Sequence, residues 1–152
     1  MVPEGEAKMN LAFYVNKISD EHLELFNMLN DAAAKYPSAS LSVFYDDLDF
    51  VSIPTNFAMF NSTELWSFTG TLICFKDEHT IKALNVINKF KLIHMYKKDL
   101  NQSLFNTISL ANNDQINMIT RSEEDNKELY RTTGKKSKQI QNLSIEEILE
   151  VI

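Results

Sequence analysis

An α/β fold, in which a mostly parallel sheet carries helices on both faces, is predicted by three features of this 152-residue chain. Short apolar runs alternate with helix-period segments roughly every 20 residues, the grammar of right-handed βαβ crossovers. Several helical segments begin at a Ser or Asp placed to cap them. With 44% hydrophobic and 24% charged residues, the chain can bury a core, which excludes a disordered or fibrous protein. The length favours one domain, expected over residues 9–152 behind a flexible lead at 1–8.

The elements follow in order. Leu11 to Val15 (LAFYV) is a run suited to a strand buried on both faces. Ser19 or Asp20 can cap the next helix, where Leu23, Phe26, Leu29 and Ala33 recur at helical spacing until Pro37. Leu41 to Tyr45 (LSVFY) predicts a second strand, and Asp46, Asp47 and Asp49 predict a loop after it. Residues 50–60 have no clean period and read as extended or irregular, before a short helix over Thr63 to Ser67 capped by Ser62. Gly70 introduces the strand Thr71 to Phe75 (TLICF). Asp77 then caps a helix carrying Ile81, Leu84 and Ile87 or Asn88.

Lys91 to Tyr96 (KLIHMY) is the next run. Leu104, Phe105, Ile108 and Leu110 mark a helix, Gln115 to Thr120 (QINMIT) a strand, and Ser122 with Asp125 a capping box opening a helix through Tyr130 that Gly134 stops. Lys138 to Gln141 is a brief strand. The S-x-x-E box of Ser144 and Glu147 opens a last helix with Ile145, Ile148, Leu149 and Ile152 on its apolar face.

Composition excludes several chemistries. The three glycines, Gly5, Gly70 and Gly134, are too far apart to build a glycine-rich phosphate loop of either the G-x-G-x-x-G or the Walker kind. A net charge of −6, with 21 acidic against 15 basic residues, is opposite in sign to a nucleic-acid footprint, so no nucleic-acid partner is expected. A single cysteine, Cys74, in an apolar run reads as a buried thiol in a reducing compartment and excludes cysteine-ligated zinc. No apolar stretch approaches the roughly 20 residues of a membrane span, and the acidic lead does not resemble a secretory signal, so a cytoplasmic location is expected. Frequent Asn and Lys with rare Gly and Pro is a composition common in AT-rich genomes, bacteriophages among them; on that origin the protein would be virion-associated.

In an open α/β sheet, ligands bind beyond the strand C-termini, here the loops with Asn16 and Lys17, Asp46 to Asp49, Lys76 to His79, Lys97 to Asp99, and Arg121 to Glu124. His79, beside a helix start, and the loop carboxylates Asp46 and Asp47 are the catalytic candidates, each weighed against a plain surface role. The histidines His22, His79 and His94 have no zinc-ligand spacing, and neither a metal nor a cofactor is expected. Phe57, Phe60, Trp66 and Phe68 form an aromatic cluster able to stack a sugar or to contact a protein partner. Arg131, Lys135, Lys136 and Lys138 are a local basic stretch, and Arg121, Lys135 and Lys136 are the candidates for an anion contact.

The order of elements resembles the N-terminal, acceptor-side half of glycosyltransferases built from two Rossmann-like domains, the GT-B class. It does so in MNLAFYV, FTGTLICF after LW, KLIHMYKKDL, INMITRSEEDNKELY and IQNLSIEEILEVI. The resemblance implies a Rossmann-like domain. In such enzymes the nucleotide-sugar donor is bound mainly by the C-terminal half, for which the sequence to Ile152 has no counterpart, and glycines often follow strand one where this chain has Asn16-Lys17-Ile18-Ser19. The implied function is therefore a glycosyltransferase-like domain that acts through a protein partner, any activity or nucleotide-sugar binding needing that partner. The alternative from another class is a small phage-type accessory or virion structural protein without a catalytic role. A stand-alone transferase or hydrolase using Asp46, Asp47 or His79 is the third expectation.

Overall fold

The LAFYV run is the middle of a longer strand. In the computed structural model, which describes residues 9–86, 90–99 and 102–152, β1 spans Asn10–Ile18 and pairs in parallel with β2, Ser40–Leu48. The register runs from Asn10 beside Ser40 to Ile18 beside Leu48. Asn16, Lys17, Asp46 and Asp47, expected in loops, thus lie in strands. The ladder outlasts the apolar run because each strand gives the other its backbone partners, and Lys17 stands beside Asp47. Burial fades along β2 from Val43 to an exposed Leu48, so side-chain pattern alone does not reveal the strand's end.

The stretch expected to be extended or irregular contains a paired strand, β3, Ala58–Asn61. Its four residues show no alternation of burial; register with β2, from Ser42 beside Ala58 to Tyr45 beside Asn61, is what makes them a strand. A 3₁₀ helix over Ser62–Ser67 follows. Its cap is Asn61, whose Oδ1 accepts from the Thr63 N–H at 2.9 Å, rather than Ser62, whose hydroxyl donates to Asp46 Oδ1 at 2.6 Å. A 3₁₀ turn over Asp20–His22 precedes α1, Leu23–Lys35, and neither Ser19 nor Asp20 caps that helix through its side chain. The buried stripe of α1 is Leu25, Phe26, Leu29 and Ala32, while Leu23 and Ala33 are half-buried.

The chain forms two compact units, one running to Leu72 and including Val86 and Phe90, the other comprising Ile73–Asn85 and Lys91–Ile152. The division falls inside β4, Thr71–Cys74, whose four residues are all buried. The first unit carries β3, β2 and β1 in that order, with the start of β4 next; from the end of β4 the second carries β5 (Lys91–Tyr96), β6 (Ile116–Thr120) and β7 (Lys138–Gln139). The strand order is therefore β3-β2-β1-β4-β5-β6-β7 in a parallel sheet, the order of a Rossmann-like fold.

In the second unit, α2 spans Asp77–Leu84, with Lys76 rather than Asp77 at the cap position. The expected continuation to Ile87 or Asn88 and the expected lead at residues 1–8 lie outside the described residues. Ser103 caps α3, Leu104–Ala111, which turns Thr107 and Leu110 inward and leaves Leu104, Phe105 and Ile108 exposed. Ser122 caps α4, Glu123–Thr133, which Gly134 ends at φ 75°, its N–H donating to the Tyr130 carbonyl at 2.8 Å. Before α5, Ile145–Val151, the Glu147 carboxylate reaches back to accept from the N–H groups of Gln141 at 2.9 Å and Asn142 at 2.8 Å, while its own N–H donates to Ser144 Oγ.

Two expectations follow. Gly70 has φ 138°, and a Cβ there would fall on the backbone oxygen of Asn10, whose side-chain amide donates to the Thr69 carbonyl. Gly70→Ala should lower stability by about 2–4 kcal/mol in urea denaturation, whereas Gly134→Ala, with open space around it, should cost only about 1 kcal/mol. The backbone N–H of Gln141, foremost, and that of Asn142 hold the Glu147 carboxyl below its ordinary range. A carboxyl depressed in the folded state stabilises above its unfolded value and loses that contribution as pH falls through the folded one. The melting-temperature gap between the parent and Glu147→Gln should thus be full at neutral pH and close as pH falls below about 4.

Candidate functional site

The strand C-termini are the place to look for chemistry, and each unit presents its own set. In the first, Asp46 shares a face of β2 with Phe44 and Leu48, because alternate strand residues point the same way. Its Oδ1 accepts from the Tyr14 hydroxyl and the Ser62 hydroxyl, both at 2.6 Å. Asp47 points to the opposite face. Asp49 accepts from the Phe50 N–H at 2.7 Å and pairs with Lys17 at 3.9 Å. Asp20 accepts from the Ser52 N–H at 2.7 Å, and Asn16 Oδ1 meets His22 Nε2 at 3.0 Å. The carboxylates are spent on local structure rather than gathered around a common point. Among the described residues no group of three or more His, Cys, Asp or Glu is placed to hold a metal ion.

The four aromatic candidates do not share one surface. Phe57 is buried against Phe26 of α1, with ring centres 5.4 Å apart, and Phe68 is buried against Phe44 at 5.4 Å and Phe90 at 5.8 Å. Phe60, in register with Phe44, and Trp66 remain exposed, together with Leu48 and Phe50. The expected surface therefore loses Phe57 and Phe68 to the interior, where large apolar side chains gain most.

In the second unit, β5 places His94 and Tyr96 two residues apart on one face, and α2 brings Asp77 and Thr80 to it, one helical turn apart. Thr80 Oγ1 lies 2.6 Å from His94 Nδ1, and His94 Nε2 lies 3.4 Å from Asp77 Oδ1. The tautomer that satisfies both contacts carries its proton on Nε2. Thr80 also hydrogen-bonds the Cys74 thiol, though burial dominates and pushes that thiol up to about 12. Carboxylate, imidazole and hydroxyl in series is the arrangement that activates a nucleophile. Here Thr80 and Cys74 are wholly enclosed and His94 is 1% exposed, so the series braces α2 against β5 and has no access to a substrate.

Tyr96 lies just outside this brace. Its hydroxyl is pushed up by burial and then by the negative charges of Glu128, Asp125 and Asp77, partly offset by Arg131. Those carboxylates are themselves engaged: Asp125 accepts from the Lys98 N–H at 3.1 Å, and the Arg131 guanidinium grips both oxygens of Glu128, holding that carboxyl low. Asn126 Oδ1 accepts from Ser137 Oγ at 2.9 Å, and Ser137 Oγ meets Thr120 Oγ1 at 3.1 Å. Acidic residues also fill the first turns of α2 (Asp77, Glu78) and α4 (Glu123, Glu124, Asp125), so the positive helix ends that bind phosphate in Rossmann-type sheets face carboxylates.

His79, the candidate base, is buried on the inner face of α2 beside Thr80 and Ala83, not at the surface. Arg121 follows β6, while Lys135 and Lys136 follow α4, so the helix puts about 16 Å between them. Lys136 lies over the Tyr130 ring at 5.9 Å. The sequence alone does not connect His94 with Asp77, Thr80 and Tyr96, nor Asp125, read there only as part of a capping box, with the Lys98 backbone. The available signals were a histidine in an otherwise apolar strand and an Asp and Thr three apart at a helix start.

His94→Phe should cost about 2–4 kcal/mol in urea denaturation, since Asp77 and Thr80 both lose a partner in a mostly enclosed place. If the triplet were catalytic rather than a brace, stability would barely change.

No family model matches the chain, and no curated protein and no solved structure matches it either.

Proposed function

We propose that this chain is a glycosyltransferase-like, Rossmann-type domain that binds no nucleotide on its own and acts through a protein partner. One observation carries the reading: the polar groups at the strand C-termini of each unit are committed to one another. Asp46 holds Tyr14 and Ser62, Asp77 holds His94, Asp125 holds Lys98, and Glu128 holds Arg131. A nucleotide's phosphates would meet the first-turn carboxylates of α2 and α4 instead of open N–H groups, and no glycine-rich turn lets backbone approach them. Exposed Leu48, Phe50, Phe60 and Trp66 support the second half of the reading, since apolar side chains gathered on one segment commonly mark a protein contact.

The test is thermal unfolding of the purified chain with uridine, guanosine and thymidine diphosphate sugars and with NAD. A ligand present at 100 times its dissociation constant adds about 2.7 kcal/mol, several degrees for a domain of this size. The expected shift for the chain alone is below about 1 °C on that scale. A saturable shift of several degrees overturns the reading. Stabilisation by a nucleotide sugar only after a donor-binding protein is added supports its transferase half.

A further inference from the structure

The two units differ in charge in a way the whole-chain value conceals. The second unit is balanced, with 11 acidic and 11 basic residues. Among its described residues the first has eight acids (four in α1 or the turn before it, four from Asp46 to Glu64) against Lys17 and Lys35 alone. This acidic unit also exposes a run of large apolar side chains: Trp66 is 70% exposed, Phe50 75% and Leu48 63%, with Phe60 at 41%. They belong to one continuous segment that runs from the end of β2 through β3 to the 3₁₀ helix, and a hydrogen bond from the Ser62 hydroxyl to Asp46 ties the start of that helix to β2.

The outer strands of the sheet are treated differently. At one end of the order β7 is two residues long and carries Lys138, the usual protection against adding a further strand. At the other end β3 reads Ala-Met-Phe-Asn, four residues with neither charge nor proline, and its first three are exposed. An outer strand without such protection offers backbone groups to an extended chain, and side chains at alternate positions give that chain its specificity.

We infer that the β2–β3–3₁₀ segment is the docking face for an extended segment of a partner protein in which Lys or Arg alternates with apolar residues. The inference rests on the partner-dependent reading above and specifies the partner's chemistry. Apolar residues of the incoming segment cover Phe60 and Leu48, and its cations meet Asp47 and Glu64, with an Arg able to lie over the Trp66 ring. Charge complementarity selects this occupant. A second copy docked through the same face would set these carboxylates against themselves, and the phosphates of nucleic acid or of an anionic membrane would be repelled. The small extent of the face suits a salt-sensitive, transient contact rather than a permanent one.

Trp66 is the sole tryptophan, so its fluorescence reports directly on the face. The intact chain is titrated with a ten-residue peptide of alternating Lys and Val, a peptide of alternating Glu and Val, and phosphatidylserine vesicles, with light scattering on the chain alone. The Lys–Val peptide should shift Trp66 emission to shorter wavelength saturably, weaken about tenfold or more with Asp47→Asn plus Glu64→Gln, and weaken again with added salt. Phe60→Ser should abolish the shift; because the Phe60 ring also packs on Phe44 at 5.7 Å, its melting curve is checked for a single folded transition below the titration temperature. The inference is overturned by an equal response to the Glu–Val peptide, by a response indifferent to the charge variants, or by no saturable response. A Trp66 shift with the vesicles, or one that follows self-association, also overturns it. Failure here with no nucleotide-induced stabilisation removes the docking face alone; nucleotide stabilisation removes the functional reading whatever the peptides do.

Discussion

A helix that follows a parallel strand turns the positive end of its dipole toward the strand's C-terminal edge, and most of what this molecule does with its polar residues answers that field. Many Rossmann-type proteins meet it with a bound phosphate. This chain meets it with its own carboxylates: Asp77 and Glu78 on α2, and Glu123, Glu124 and Asp125 on α4. Two of them take a second duty. Asp77 reaches the imidazole of His94, and Asp125 takes the backbone N–H of Lys98, so the residues that settle the helix ends also tie the loops to the strands. Self-sufficiency at the edge is the physical ground for assigning the chain no nucleotide of its own.

The same economy explains the fate of groups that look chemical in isolation. Asp46 in a cluster of acids suggests a metal or a general base, yet it sits where two hydroxyls, from Tyr14 and Ser62, converge on one oxygen. Cys74 and Thr80 form with His94 a buried series that resembles an activated nucleophile, but enclosure raises the thiol and denies access to both. Reactive side chains become structural when the surrounding atoms satisfy them and exclude solvent. What remains available is apolar surface, on the β2–β3 segment and on the outer side of α3, where Leu104 and Phe105 are exposed. That exposed surface is the ground for the proposal that the chain acts through a partner.

Local chemistry made much of the architecture legible. Ser122 and Ser144 stand at helix starts as their side chains require, Gly134 stands where a left-handed residue ends α4, and Gly70 introduces β4 where a Cβ would strike Asn10. These signals are short-range and are written in the residues that make them. The ends of β1 and β2 and the whole of β3 were not legible, since their hydrogen bonds come from a neighbouring strand and the residues carry no pattern of their own.

The sequence by itself determined the α/β class, the order of helices and strands apart from β3, the absence of a glycine-rich phosphate loop and the burial of Cys74, because periodicity, capping and composition act within a few residues. Only the tertiary structure decided which chemistry-bearing residues meet. It brought His94 to Asp77 and Thr80 from different elements, sent Phe57 and Phe68 inward, and left Phe60 and Trp66 outside. Those outcomes depend on which faces the strands and helices turn to one another, a property of the assembled sheet that no single stretch of chain contains.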